Sequence, residues 1–121
     1  MFDIDWFKKI NDTYGHQAGD SVLYEIAVLM KKTLRTTDII SRWGGDEFLV
    51  LSPGTDLNGA MASARKLCSA IENYRFTVST TVTISAGLCE FDGQENIEDM
   101  IKNADEKLYE AKRQGRNTVV G

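Results

Sequence analysis

Hydrophobic and polar positions divide the chain into alternating strand and helix patterns. Residues 1–5 alternate between apolar and acidic side chains, which predicts a strand, and the turn residues of segment 13–20 predict a loop. Further on, apolar residues recur three times at helical spacing, which predicts three helices that each bury one face. The first helix is expected from a cap at Asp20 or Ser21 to about Arg35, and the second from a cap at Thr55 or Asp56 to about Asn73. The third is expected to begin at Ile97 and to end before Gly115, which would be its C′ residue.

The segments between these helices carry β-type patterns. Residues 38–52 contain two β-rich runs separated by Gly44 and Gly45, and since glycine takes positive φ without steric cost, they predict a hairpin. Segment 76–91 is dense in β-branched residues and predicts one long strand or two joined by a turn, with Gly87 marking a bulge. A short strand over 118–120 completes an α+β fold in which helices flank a largely antiparallel central sheet.

Composition narrows the class of protein. The 121 residues suit one domain, and the net charge of −4 without a basic face argues against nucleic acid as a partner. No apolar run is long enough to span a bilayer, so we expect this segment to be cytoplasmic and to make no membrane contact. Cys68 and Cys89 lack a Cys-x-x-Cys spacing, and we expect both to be reduced and buried.

Acidic side chains at strand ends carry the candidate chemistry. Asp3 lies in the first strand, while Asp46 and Glu47 directly follow the two glycines. If the first strand pairs beside the hairpin, Asp3 and Glu47 meet at one edge of the sheet, where paired carboxylates suit Mg²⁺. A tight turn decorated with solvated charge is the competing interpretation, and Asp5 can simply brace its turn. With His16 the only histidine and no thiol pair, the sequence argues against a zinc site.

Three sequence motifs follow one another in order and span essentially the whole chain. They are Phe2-Asp3-Ile4-Asp5-x-Phe7-Lys8-x-Ile10-Asn11-Asp12-x-Tyr14-Gly15-His16-x-x-Gly19-Asp20, Arg42-x-Gly44-Gly45-Asp46-Glu47-Phe48, and Tyr109-x-Ala111-Lys112-x-x-Gly115-Arg116-Asn117. Together they resemble the motifs of the GGDEF family of diguanylate cyclases. The resemblance implies a fold similar to the palm domains of nucleotidyl cyclases and polymerases, with a ferredoxin-like core. It also implies that two GTP molecules are joined into cyclic di-GMP with release of two pyrophosphates.

The resemblance also assigns catalytic and metal-binding residues. Asp3, Glu47 and the Ile4 carbonyl would bind two Mg²⁺ ions per active site, for which Mn²⁺ could substitute. Two such ions held close together stabilise both the attacking and the leaving oxygen of a phosphoryl transfer. Asp46 would be the essential acid of the motif. Gly44 and Gly45 would leave room for substrate against the backbone.

Substrate-binding residues follow from the same motifs. Asn11 and Asp20 would read guanine, since a carboxylate accepts from guanine N1–H and N2–H₂ but would be left unpaired opposite adenine. The β and γ phosphates of GTP would lie against backbone N–H groups and cationic side chains. Arg42 would also bind substrate. The groups at these phosphates are the N–H groups of Trp6, Phe7 and Lys8, and the side chains of Lys112 and Arg116. The last two cations would equally favour a helix C-terminus.

The segment before the hairpin resembles the family's inhibitory product site. Arg35-x-x-Asp38 precedes Gly44 by the family's spacing, so Arg35 and Asp38 would hold cyclic di-GMP, although a solvated helix end also explains the pair. Because each domain would hold one GTP, catalysis requires a homodimer. Relative to the family, residues 1–121 look N-terminally truncated, so we expect an N-terminal sensor or dimerising domain, and the parent protein could be membrane-anchored.

Two other functions compete with this one. A catalytically inactive GTP- or cyclic di-GMP-binding regulatory module would usually have lost an acid or a glycine from the hairpin motif, and this chain retains all of them. Another palm-type enzyme would use ATP or a template. Asn11 and Asp20 argue against adenine, and the lack of a basic channel argues against a template.

Overall fold

The computed structural model describes all 121 residues as a five-stranded sheet flanked by four helices. The strand order is β2-β3-β1-β4-β5; every neighbouring pair is antiparallel except β4 and β5, which are parallel. This confirms the predicted α+β class. The elements are β1 Phe2–Ile4, α1 Phe7–Tyr14, α2 His16–Thr33, β2 Ile39–Arg42, β3 Glu47–Leu51, α3 Leu57–Glu72, β4 Ile84–Gly87, α4 Ile97–Arg113 and β5 Val119–Val120.

The central strand β1 sends alternate side chains to two different layers. Phe2 and Ile4 are buried in the main core with residues of α1, α2 and α3. A smaller apolar cluster lies on the other face, where Leu108 of α4 packs with Leu49 of β3. Because successive side chains of a strand point to opposite faces, Asp3 lies on the α4 side of the sheet.

The hairpin predicted around the double glycine is confirmed. Ile39 of β2 is the cross-strand partner of Leu51 of β3, and Arg42 is the partner of Phe48. The turn closes tightly, because the backbone N–H groups of Trp43 and Gly44 both donate to the Glu47 carbonyl, at 2.8 and 3.3 Å. The hairpin thus delivers Glu47 to the first position of β3, beside the central strand.

The loop predicted over residues 13–20 is wrong. Helix α1 runs to Tyr14, α2 begins at His16 rather than at Asp20 or Ser21, and Gly15, at φ 90°, is the single residue between them. A positive φ is inexpensive only for glycine, so Gly15 turns the chain without ending the helical region. Gly19 lies inside α2 and is buried, because the two helices cross closely at that point.

The strand predicted over 76–91 is much shorter than expected. Only Ile84–Gly87 is strand, since no neighbouring strand pairs with the preceding residues, although Val78 and Val82 are buried in the core. The bulge expected at Gly87 is replaced by close helix packing. A Cβ there would collide with backbone atoms of Ala104 and Leu108 in α4, so the absent side chain lets α4 lie directly on β4.

Helix caps and cysteines agree with most of the sequence predictions. The Asp56 side chain caps α3 by accepting from the Gly59 N–H at 2.8 Å, and Gly115 occupies the C′ position of α4 at φ 113°. Both cysteines are free; Cys68 is buried, and burial raises the pKa of its thiol to about 12, whereas Cys89 is only half-buried. None of the helices has the length and apolar character needed to cross a membrane.

Candidate active site

Two carboxylates of adjacent strands face each other across the sheet. Asp3 of β1 and Glu47 of β3 are cross-strand partners, so their side chains lie on the same face. The Asp3 side chain is only 8% exposed, and the Lys112 ammonium of α4 lies 3.0 Å from Asp3 Oδ1. Burial raises the pKa of Asp3 to about 6; the hydrogen bond from Lys112 opposes this rise, while the charges of Asp46 and Glu47 add to it. Asp3 is therefore a desolvated carboxyl group whose ionised form a nearby cation would stabilise.

The acidic side chains of the site suit Mg²⁺ that is completed by substrate and water, rather than a metal bound entirely by protein side chains. No group of three or more His, Cys, Asp or Glu side chains converges on one point. Mg²⁺ is commonly bound by one or two carboxylates and completed by substrate phosphates and water, which matches Asp3 and Glu47. The Asp46 carbonyl accepts from the Ile4 N–H at 3.0 Å, so the double-glycine turn is fastened to β1 beside these acids.

Arg42 braces the glycine turn from within. Its Nε donates to the Gly44 carbonyl at 3.1 Å, and its guanidinium nitrogen donates to the Gly45 carbonyl at 2.8 Å. A Cβ on Gly44 would lie 3.0 Å from a carboxylate oxygen of Glu47, whereas one on Gly45 would meet nothing within 4 Å. Gly44 therefore makes room for the Glu47 side chain, and open space for a ligand lies beside Gly45.

Helix α1 presents a set of unpaired backbone donors next to the acids. Trp6 turns the chain from β1 into α1 with a left-handed backbone at φ 58°. The N–H groups of Trp6, Phe7 and Lys8 have no acceptor within the protein. The first N–H groups of a helix favour anions, so this end of α1 suits phosphate oxygens.

The C-terminus of α4 brings two cations to the same region. The Gly115 N–H donates to the Lys112 carbonyl at 3.3 Å and the Arg116 N–H to the Ala111 carbonyl at 3.1 Å, which is a Schellman motif. The motif folds Arg116 back over the end of the helix, and its guanidinium carbon lies 3.9 Å from the centre of the Trp6 ring. Arg116 thus lies at the N-terminal end of α1, against Trp6, and the Lys112 ammonium lies against the Asp3 carboxylate.

The predicted guanine-reading residues lie on neighbouring helices. A Cβ on Gly19 would collide with the side-chain oxygen of Asn11, so Asn11 of α1 packs directly against the residue that precedes Asp20 of α2. A cleft of ≈ 540 Å³ separates α2 from the hairpin, and Asp20 and Arg42 are among the residues that line it. The structure therefore places Asn11 against Gly19, one residue before Asp20, at the crossing of α1 and α2. Asp20 lies inside α2 and not in a loop before it.

The Arg35–Asp38 pair forms a compact ion pair after α2. The Arg35 guanidinium lies 2.9 Å from the Asp38 carboxylate, donates to the Pro53 carbonyl at 3.1 Å and remains 43% exposed, whereas the Asp38 side chain is 1% exposed. Burial acts to raise the pKa of Asp38, but hydrogen bonds from Arg35 and Ser52 outweigh it and the pKa is lowered. Arg35 is thus accessible to a ligand, while Asp38 fixes its direction.

One buried acid was not assigned to the site from the sequence. Asp5 is 4% exposed and accepts from the hydroxyls of Thr83 and Ser85 and from the Asn117 N–H. The sequence indicated Asp5 only as a residue that braces its own turn. These partners are distant in the sequence, and no local pattern points to them.

An acid pair on a palm-like sheet, beside open helix N–H groups and a guanidinium, defines a nucleotide-binding domain of the nucleotidyl cyclase type. A family model described as "Diguanylate cyclase, GGDEF domain" matches residues 1–118. The chain therefore belongs to the GGDEF family of diguanylate cyclases.

Individual relatives agree with this assignment. The response regulator PleD of Caulobacter vibrioides is 42% identical over all of this chain, and diguanylate cyclase A of Treponema denticola is 42% identical over 98% of it. The chain spans only 28% and 33% of these two proteins.

Solved structures of the family share the fold closely. Diguanylate cyclase SiaD of Pseudomonas aeruginosa, solved with its activator SiaC, has a TM-score of 0.92 at 40% identity, covering 98% of this chain and 47% of SiaD. The GGDEF domain of DgcB from Caulobacter crescentus, solved with c-di-GMP, has a TM-score of 0.93 at 29% identity, covering 98% of this chain and 73% of that one.

Proposed function

We propose that this chain is the catalytic domain of a diguanylate cyclase that condenses two GTP molecules into cyclic di-GMP. The observation that carries the proposal is the cross-strand pair of Asp3 and Glu47, with Lys112 at 3.0 Å from Asp3 and the unpaired N–H groups of α1 nearby. Diguanylate cyclase A of Treponema denticola is similar over 98% of this chain, and diguanylate cyclase SiaD shares the fold over 98% of it.

Binding of GTP would use groups from both helical ends. The N–H groups of Trp6, Phe7 and Lys8 would donate to the β and γ phosphates, and the Arg116 guanidinium would neutralise part of their charge. Lys112 would turn from Asp3 toward phosphate, since an ammonium on a flexible stem can exchange one anionic partner for another. Asn11 and Asp20 would hydrogen-bond guanine.

The reaction would be an in-line phosphoryl transfer. In each of two reciprocal steps, the 3′-hydroxyl oxygen of one guanosine attacks the α-phosphorus of the other nucleotide, the bond from that phosphorus to the bridging oxygen breaks, and one pyrophosphate leaves. Asp46 would hydrogen-bond the attacking hydroxyl and favour its deprotonation. Asp3, Glu47 and the Ile4 carbonyl would hold Mg²⁺ or Mn²⁺, which neutralises the charge that develops on the phosphate oxygens.

Assembly and regulation belong to the same proposal. Each domain would bind one GTP, so two copies must face each other as a homodimer before the 3′-hydroxyl of one nucleotide can reach the other. Relatives more than twice the length of this chain are consistent with additional domains, including a sensor or dimerising domain, that bring two copies together. Arg35 and Asp38 would bind cyclic di-GMP and inhibit the enzyme.

The deciding experiment incubates the full-length protein with Mg²⁺ and either GTP or ATP, followed by mass analysis of the products. We expect cyclic di-GMP from GTP, no cyclic product from ATP, and loss of synthesis in Glu47→Gln. Glu106→Gln, an exposed glutamate of α4, is the matched control and should retain activity. Binding of GTP without turnover in the dimeric protein would instead support a regulatory module.

A further inference from the structure

We propose that Asp5 is a positioning residue that places Arg116 at the phosphates of bound nucleotide, an inference that depends on the proposed function. Asp5 Oδ2 accepts from Thr83 Oγ1 at 2.8 Å and from the Asn117 N–H at 3.0 Å, while Oδ1 accepts from Ser85 Oγ at 2.7 Å. The side chain is buried and forms no ion pair. Through these hydrogen bonds the Asp5 carboxylate connects the end of β1 with the β4 region and with the turn after α4.

Two of the three segments that Asp5 connects are turns that carry candidate phosphate-binding groups, namely the turn from β1 into α1 and the turn after α4; the third is the β4 region. Trp6, which follows Asp5 directly, has a left-handed backbone at φ 58°. Arg116 and Asn117, which follow α4, are left-handed as well, at φ 65° and 48°. Apart from glycine, asparagine and aspartate, residues rarely adopt this conformation, so Trp6 and Arg116 need contacts that hold it. The bond from the Asn117 N–H to Asp5 fixes the residue next to Arg116.

The Trp6–Arg116 contact lies between these two turns. The Arg116 guanidinium carbon is 3.9 Å from the Trp6 ring centre, and Trp6 as a whole is 62% exposed, so the core does not hold it in place. The separation of the two turns is set by Asp5, because its backbone belongs to one turn and its carboxylate binds the other. Loss of the carboxylate would release Arg116 while leaving Asp3 and Glu47 on their own strands.

This arrangement predicts an effect confined to the β and γ phosphates. In the full-length protein, Asp5→Ala should weaken binding of guanosine 5′-(α,β-methylene)triphosphate, an analogue that cannot lose pyrophosphate, by about tenfold. The affinity for GMP, which lacks both terminal phosphates, should stay within about twofold. Asp5→Asn should recover most of the affinity, since the Ser85 hydroxyl can rotate to accept from the amide while the amide oxygen still accepts from the Asn117 N–H.

A double-mutant cycle tests whether Asp5 acts through Arg116. In an Arg116→Ala background, Asp5→Ala should have little further effect on binding of the triphosphate analogue, because the residue it positions is gone. Additive losses, or equal losses for the analogue and GMP, would overturn the inference and leave Asp5 as general structural support.

A milder variant covers the case in which Asp5→Ala does not fold. Thr83→Val removes one donor to Asp5 at nearly constant volume and should weaken analogue binding by about twofold to threefold, with GMP binding unchanged. Unchanged analogue binding in Thr83→Val, with Asp5→Ala unfolded, would overturn the inference. If the wild-type protein binds neither nucleotide, the proposed function fails. If it binds the analogue, and Asp5→Ala and Thr83→Val bind the analogue equally well, only this inference fails.

Discussion

Asp3→Asn should stabilise the protein in the absence of metal and nucleotide while abolishing catalysis. Burial raises the pKa of Asp3 from an ordinary value of 3.8 to about 6, which means that the folded state disfavours the ionised acid. A difference of about two pH units corresponds to an upper limit of about 3 kcal/mol of destabilisation at neutral pH. Asparagine resembles the protonated acid and removes this cost.

The expected gain is smaller than the upper limit. The partner Lys112 is 32% exposed, and water around its ammonium screens the charges, so we expect Asp3→Asn to add about 1–2 kcal/mol to the free energy of unfolding at pH 7.5. The melting temperature should rise by about 3–8 °C for a domain of this size. Thermal and urea unfolding in EDTA measure both quantities, with the exposed Asp12→Asn as a matched control that should change neither.

The stabilising effect of Asp3→Asn should depend on pH. Because the pKa of Asp3 is higher in the folded state than in the unfolded state, its cost is absent below about pH 4, grows between pH 4 and 6, and is complete above pH 6. The stability difference between Asp3→Asn and wild type should follow this course. A loss of stability in Asp3→Asn at pH 7.5, or a difference independent of pH, would refute the idea that the sheet holds a costly carboxylate for a cation.

The remaining predictions concern two glycines and the candidate product site. Gly19→Ala should displace the Asn11 side chain and weaken GTP binding by about tenfold in titration calorimetry; unchanged affinity would contradict the guanine-reading role of Asn11. Gly87→Ala should force α4 away from β4 and lower the free energy of unfolding by about 1–3 kcal/mol in urea, and a neutral result would contradict the close contact. Arg35→Ala should relieve inhibition by cyclic di-GMP with turnover intact in initial-rate assays, whereas unchanged inhibition would refute that site.

The sequence predicted best where a local pattern determines the structure. The two glycines specify the hairpin, and alternation in β1 places Asp3 on one face, so the meeting of Asp3 and Glu47 followed once β1 was assumed to pair beside the hairpin. The helices α3 and α4 were likewise predicted within a few residues, because apolar periodicity and capping residues agree there.

The sequence predicted poorly where tertiary contacts override local preference. Turn-type residues around Gly15 and Gly19 suggested a loop, but Gly15 only redirects the helix and Gly19 makes room for Asn11. The β-branched residues before Ile84 lack a partner strand, and strand propensity alone does not supply one. Asp5 and Asn117 are 112 residues apart, so their hydrogen bond becomes visible only in the folded chain.

The central claim is that Asp3 and Glu47 share a divalent metal beside bound nucleotide. Crystals of the protein grown with Mn²⁺ and the α,β-methylene analogue of GTP would locate the metal directly through its anomalous scattering. We predict a peak at bonding distance from carboxylate oxygens of both Asp3 and Glu47 and from phosphate oxygens of the analogue. A metal bound elsewhere, or a triphosphate located away from the N-terminus of α1, would contradict the claim.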